Sequence, residues 1–304
     1  MTARVCQGLK ETVPTGTSNV DYSLTLVPPC FHVVRRGLHL GVVLSLPAAT
    51  FWTRVHEGTY YGTRVIAKVI LAADATTLRK AYQLARISID MHHPNIVRFL
   101  GVDYDDQNKT AVFVTEQLER GDLASILASD EGLSVQVCIQ IMFDVACGMA
   151  YLHSQPKPIM HRDLRAANVH ISRNNRAKVA NFELSGKLGL DTSRVGTPAW
   201  TAPEILAGGA NYTEKVDVYS FAMLVVEIMN RKMPYADESK ATPARQLLEE
   251  IVSKQRRPTI LHPEKWPQQM LELVKACWKE NPEGRPAFQF IVAELDMYLK
   301  QPQQ

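Results

Sequence analysis

In HRDLRAAN, His161–Asn168, one acid and one amide, Asp163 and Asn168, stand in a short polar run. Shortly after it KVANFELSG, Lys178–Gly186, brings a strand that ends in Asn181-Phe182-Glu183. The chain around this loop has two textures. Immediately before it, SVQVCIQIMFDVACGMAYLHS is a long apolar-rich run that reads as a helix buried on most sides. After it come further helical patterns in EKVDVYSFAMLVVEIMN, ARQLLEEIVSK, QQMLELVKACWKE and AFQFIVAELDMYLK. Asp122 in DLASILA is placed to cap the first helix of this half.

Upstream of Gly121 the signal is mostly strand. TRVHEGTYYGTRVIAKVIL reads as two strands joined by a turn at Tyr61-Gly62. NIVRFLGVDY and TAVFVTEQL are strand-like, and between the two pairs ATTLRKAYQLARISIDM places Leu78, Tyr82, Ala85 and Ile89 at helical spacing. A strand-rich first part and a helix-rich second part predict an α+β fold of two lobes, a small one over 37–118 and a larger one over 119–300. Residues 1–36 carry Pro14, Gly16, Ser18, Asn19 and Pro28-Pro29 without a sustained period, and read as a disordered tail.

The 304 residues are 46% hydrophobic and 21% charged, a globular composition. A net charge of +3 gives no strong pull toward nucleic acid or a membrane surface. Cys6, Cys30, Cys138, Cys147 and Cys277 are odd in number, scattered and without a CxxC pair, which predicts reduced thiols. The first twenty residues lack an apolar core, and the apolar run Leu38–Leu46 is too short to span a bilayer, so the expected location is the cytoplasm.

Six motifs in order resemble the eukaryotic protein-kinase fold. They are RVIAKVI around Lys68, HHPNIVRFLG, VTEQLERGDLASIL, HRDLRAAN, GTPAWTAPEIL, and the pair DVYSFAMLVVEIMNRKMPY with CWKENPEGRPAF. The resemblance runs from about Leu38 to Leu299. HRDLRAAN and WTAPE lean toward tyrosine kinases, and GTPAW toward the tyrosine-kinase-like branch, so the acceptor hydroxyl stays open.

The resemblance implies a role for each site residue. Asp163 matches the residue that takes the substrate hydroxyl's proton, Lys68 the lysine on the α- and β-phosphates, and Asn168 a magnesium ligand. Asn181 stands where the family has the magnesium-binding aspartate. The nucleotide slot would be lined by Val55, Ile66, Lys68, Thr115, Glu116, Leu118 and His170. His161, Arg162, Phe182, Glu204, Asp217 and Arg285 match structural positions: loop braces, a packing phenylalanine, an ion pair (Glu204 with Arg285) and an aspartate on the catalytic loop's backbone.

The departures are as specific as the matches. No glycine lies between Gly41 and Gly58, where phosphates would need a close backbone cradle; Pro47, Phe51 and Trp52 stand there instead. No glutamate occurs between Gly58 and Thr115; the position expected for the partner of Lys68 is Leu84, with Asp74 and Asp90 the nearby acids. The expectation is that Lys68 finds another anion or faces water. Asn181 offers a neutral oxygen, and Glu183 replaces a glycine. Ile66 is a bulkier ceiling and His170 a polar floor for a flat base, His170 otherwise reading as a core histidine. Thr192, Ser193, Thr197 and Thr201 are read as solvated hydroxyls of the activation segment, open to phosphorylation and pairing with Arg162.

Two functions are therefore expected. In one, a pseudokinase binds protein partners, an active kinase or its substrate, without firm need of a cofactor. In the other, a low-activity kinase transfers the γ-phosphate of ATP with Mg2+ and Asp163 as base. Neither calls for nucleic acid or a membrane span.

Overall fold

The computed structural model describes residues 37–44, 54–71, 85, 88–105, 110–181, 198–209, 211–238 and 242–301. A five-stranded antiparallel sheet comes first: β1 (Leu38–Leu44), β2 (Arg54–Tyr60), β3 (Thr63–Leu71), β4 (Phe99–Asp105) and β5 (Thr110–Glu116), in the order β1-β2-β3-β5-β4. Tyr61 (φ 47°) and Gly62 (φ 80°) turn β2 into β3. Positive φ at both positions gives the primed turn whose twist suits paired strands. The register places Val55 opposite Lys68, and Ile66 opposite Thr115. Of the helix expected between β3 and β4, the described part keeps Ala85, Ser88 and Ile89 helical and buried; Leu78, Tyr82, Leu84 and Asp74 lie outside the described residues. The strand expected from Asn95 begins only at Phe99, with Ile96 making an isolated bridge to Val179.

The second part is helical: α1 (Leu123–Ala128), α2 (Val135–His153), α3 (Pro203–Leu206), α4 (Lys215–Asn230), α5 (Ala244–Ser253), α6 (Gln268–Cys277) and α7 (Phe288–Leu299). Asp122 caps α1 by accepting from Ser125 N, and Ser134 caps α2 by accepting from Val137 N. One core runs through α2, α4 and α7, with Ile139, Met142, Met149, Phe221, Leu224 and Phe288 at its centre. Helix α2 is long and apolar enough to cross a membrane by length and composition. In this fold much of it is core, and its buried Asp144 accepts from Arg176 (2.8 and 2.6 Å) and from Ala177 N (2.8 Å).

Those bonds anchor a small hairpin, β6 (Val169–Ile171) paired with β7 (Ala177–Val179). Gly148 of α2 lets the helix approach closely here. A Cβ at that position would stand 2.6 Å from Asn95 O, a carbonyl that accepts from Val179 N. Asn168 ends the turn before β6 and Asn181 follows β7, so the hairpin brings the two amides face to face. The result is the two-lobed α+β architecture that the sequence pattern predicts.

Candidate active site

Lys68 leaves the middle of β3 with only 7% of its surface exposed. Its ammonium donates to Oδ1 of Asn181. Of the two expected outcomes, another anion or water, exposure to water is not seen: the lysine turns inward and meets the amide that stands where the family has an aspartate. Asn181 sits at φ 62°, a left-handed conformation that asparagine adopts more readily than most residues. Its Nδ2 donates to Oδ1 of Asn168 over 2.7 Å. Asn168 Nδ2 in turn donates to the backbone oxygen (2.6 Å) and Oδ2 (2.7 Å) of Asp163. Asp163 is also paired with Arg165 at 3.4 Å. Four side chains from three parts of the chain, β3, the 161–168 loop and the residue after Ala180, therefore form one chain of hydrogen bonds.

The loop beneath is fixed from below. His161 is fully buried, with Nε2 2.8 Å from Ala180 O. Asp217, also fully buried, accepts from His161 N (2.7 Å) and Arg162 N (2.8 Å), and its Oδ2 lies 2.8 Å from His153 Nε2. Burial alone would raise its carboxyl pKa, but the His153 contact, His161 and the Arg162 N–H outweigh it, and the net shift is downward. Glu227 of α4 accepts from Ala166 N (3.0 Å) and Trp200 Nε1 (2.9 Å). Burial pushes its carboxyl up to about 7. Glu204 and Arg285 form a two-pronged pair at 2.7 and 2.9 Å, with Arg285 1% exposed.

Five of the seven nucleotide-slot positions, Ile66, Lys68, Thr115, Glu116 and His170, line one small cavity, and Val55 and Leu118 do not. A cavity of about 30 Å³ lies among Ile66, Lys68, Ser88, Thr115, His170 and Asn181. A single water needs roughly 10–15 Å³ on this scale, so the cavity holds little more than solvent. Glu116 is engaged by Lys178 (2.6 Å) and by Arg98 N (2.7 Å). Leu118 is buried against Val97 and Ala180. His170 lines the cavity at the floor position while most of its ring is buried; burial foremost, then the Lys68 charge, lowers its pKa to about 4. It is neutral at physiological pH.

Magnesium favours oxygen ligands with one or two carboxylates among them. At the two family metal positions stand Asn168, whose oxygen accepts from an N–H, and Asn181, whose oxygen accepts from Lys68. No group of three or more His, Cys, Asp or Glu that could hold a metal occurs among the described residues. Among the described residues, these two positions thus offer amide oxygens and no carboxylate, a donor set that does not fit the ion.

Thr201 is buried, 7% exposed, which corrects its reading as a solvated hydroxyl. Phe182, Glu183, Pro47, Phe51, Trp52, Thr192, Ser193 and Thr197 lie outside the described residues. Sequence reasoning missed Glu227, Trp200, His153 and Ser88. Glu227 had a signal: one acid inside the otherwise apolar FAMLVVEIM, where a lone charge on a buried helix demands partners. The other three had none.

The family described as protein tyrosine and serine/threonine kinase matches residues 46–295. A probable serine/threonine-protein kinase, drkA of Dictyostelium discoideum, is 33% identical over 248 residues, 80% of this chain and 37% of the relative. The serine/threonine-protein kinase CTR1 of Arabidopsis thaliana is 32% identical over 274 residues, 86% of this chain and 32% of the relative. The dual specificity protein kinase shkA of Dictyostelium discoideum is 34% identical over 254 residues, 79% of this chain and 46% of the relative. The chain thus spans less than half the length of each.

Proposed function

Because the chain belongs to the protein tyrosine and serine/threonine kinase family, we propose that it uses that fold as a pseudokinase, acting by binding protein partners rather than by transferring phosphate. The observation that carries this reading is the run Lys68–Asn181–Asn168–Asp163, in which phosphate-, metal- and base-position side chains satisfy one another. ATP would have to pull Lys68 off Asn181 and enter with a metal that finds no carboxylate at position 181. Losing that charge beside a divalent ion costs on the order of a few kcal/mol, and each 1.36 kcal/mol is about tenfold in rate. The glycine-free 42–57 stretch and the missing glutamate act in the same direction.

The proposed partners are proteins, an active kinase or its substrate, met in the cytoplasm and held by the surface of an intact large lobe. The buried Asp217 and Glu204–Arg285 contacts keep that lobe in shape irrespective of catalysis.

A second reading, a low-activity kinase, draws on one observation. Asp163 and Asn168 keep a 2.7 Å contact, and the Asp163 side chain is 13% exposed, within reach of an acceptor. Labelled γ-phosphate separates the two. The pseudokinase reading expects no incorporation into protein acceptors, in the native chain or in Asn181→Asp. Incorporation that disappears in Asp163→Asn overturns it in favour of the weak enzyme.

A further inference from the structure

We propose that the side-chain N–H of Asn181 holds Asn168 in place of a divalent cation, so that the loop bearing Asp163 is ordered without metal. The orientation of each amide is fixed by its neighbours. Both Asn168 Nδ2 contacts go to Asp163, which turns Oδ1 of Asn168 toward Asn181. Lys68 donates to Oδ1 of Asn181, which turns the Asn181 N–H toward Asn168. Donation therefore runs one way, from the Lys68 ammonium through two amides to the Asp163 carboxylate. Bonds aligned in this manner polarise one another, more so in a partly buried setting.

The backbone enforces the encounter. Ala180 N donates to Asn168 O at 2.8 Å, and the left-handed turn at Asn181 aims its side chain back across the hairpin. A carboxylate at 181 would still accept from Lys68 but would set oxygen against oxygen at Asn168. A cation or a donor has to stand between two such oxygens. Asparagine carries the donor covalently. The departure from the family at 181 is then a replacement with its own chemistry, which keeps Asn168 against Asp163 on a loop already braced from below by Asp217 and Glu227.

This inference rests on the reading that the site does not use magnesium, and it is tested with no nucleotide present. Hydrogen exchange is followed at the backbone amides of 161–168, in EDTA and in millimolar Mg2+. The native chain is expected to exchange equally slowly in both. Asn181→Asp keeps the acceptor for Lys68, loses the donor to Asn168 and adds a negative charge that only a cation can offset there. It should exchange about five- to tenfold faster in EDTA, as for one lost hydrogen bond, and slow again with Mg2+. Asn181→Ala should exchange faster in both. The proposal is overturned if Asn181→Asp in EDTA is as protected as the native chain, or if Mg2+ slows exchange in the native chain. Should the variants not fold, the Asn168 and Asn181 side-chain amide signals of the native chain are recorded by NMR against Mn2+. Unchanged signals are expected, and paramagnetic broadening at micromolar Mn2+ overturns the proposal. ATP binding, measured separately, bears on the pseudokinase reading and not on this one.

Discussion

Arg162 stands at φ 66° with its backbone N–H 2.8 Å from Oδ1 of the fully buried Asp217. A left-handed conformation costs an arginine about 1–2 kcal/mol, and the carboxylate offsets it by holding this N–H and that of His161 together. Asp217→Ala is expected to destabilise the fold by about 3–5 kcal/mol, the scale for leaving buried partners uncompensated. Urea unfolding measures it. The lowered Asp217 pKa gives stability that is present above the unfolded value of 3.8 and lost as pH falls through the folded one. The variant should therefore lose part of the native chain's acid sensitivity.

Glu227 has the opposite sign. Its folded pKa of about 7 exceeds the unfolded 4.5, so its contribution is fully present below pH 4.5 and declines as pH rises to about 7. Glu227→Gln keeps an oxygen for Ala166 N and Trp200 Nε1 but never becomes charged. It should match the native chain near pH 5 and exceed it near pH 8, by up to about 3 kcal/mol. Melting temperatures across that range report the crossover.

His170 titrates low, at about 4 against 6.5 unfolded. Its neutral form favours the fold above pH 6.5, and stability drains as pH falls from there toward 4. His170→Leu removes this term and should flatten the stability profile between those values. Thermal melts of the two proteins at matched pH decide it.

Arg285 grips Glu204 with two nitrogens while 1% exposed. Lysine cannot reproduce that fork. Arg285→Lys is expected to destabilise by about 2–4 kcal/mol, nearly as much as loss of the pair, because an ammonium would sit buried with one prong unmet.

Elements were legible wherever local chemistry decided them. The Tyr61-Gly62 turn, the Asp122 cap and the apolar run of α2 each announced themselves by residue type and period. The late start of β4 was not legible, since apolar Ile96 and Val97 are buried without joining the sheet. At the site, residue types pointed to the right neighbourhood, but polarity between partners did not follow from them. That Lys68 turns inward onto Asn181, and that Asn181 donates to Asn168, depends on a register set by the β6–β7 hairpin far along the chain. Glu227 meets Ala166 of the catalytic loop, and His153 meets Asp217, each through tertiary packing over more than sixty residues of sequence, which no local pattern encodes.

Equilibrium titration of the native chain with ATP, in Mg2+ and again in EDTA, bears most directly on the central claim that this cleft has exchanged its metal and phosphate contacts for contacts among its own side chains. No saturable heat and no rise in melting temperature at millimolar ATP with Mg2+ is the predicted result. Saturable binding that requires Mg2+ and is lost in Lys68→Met would contradict it.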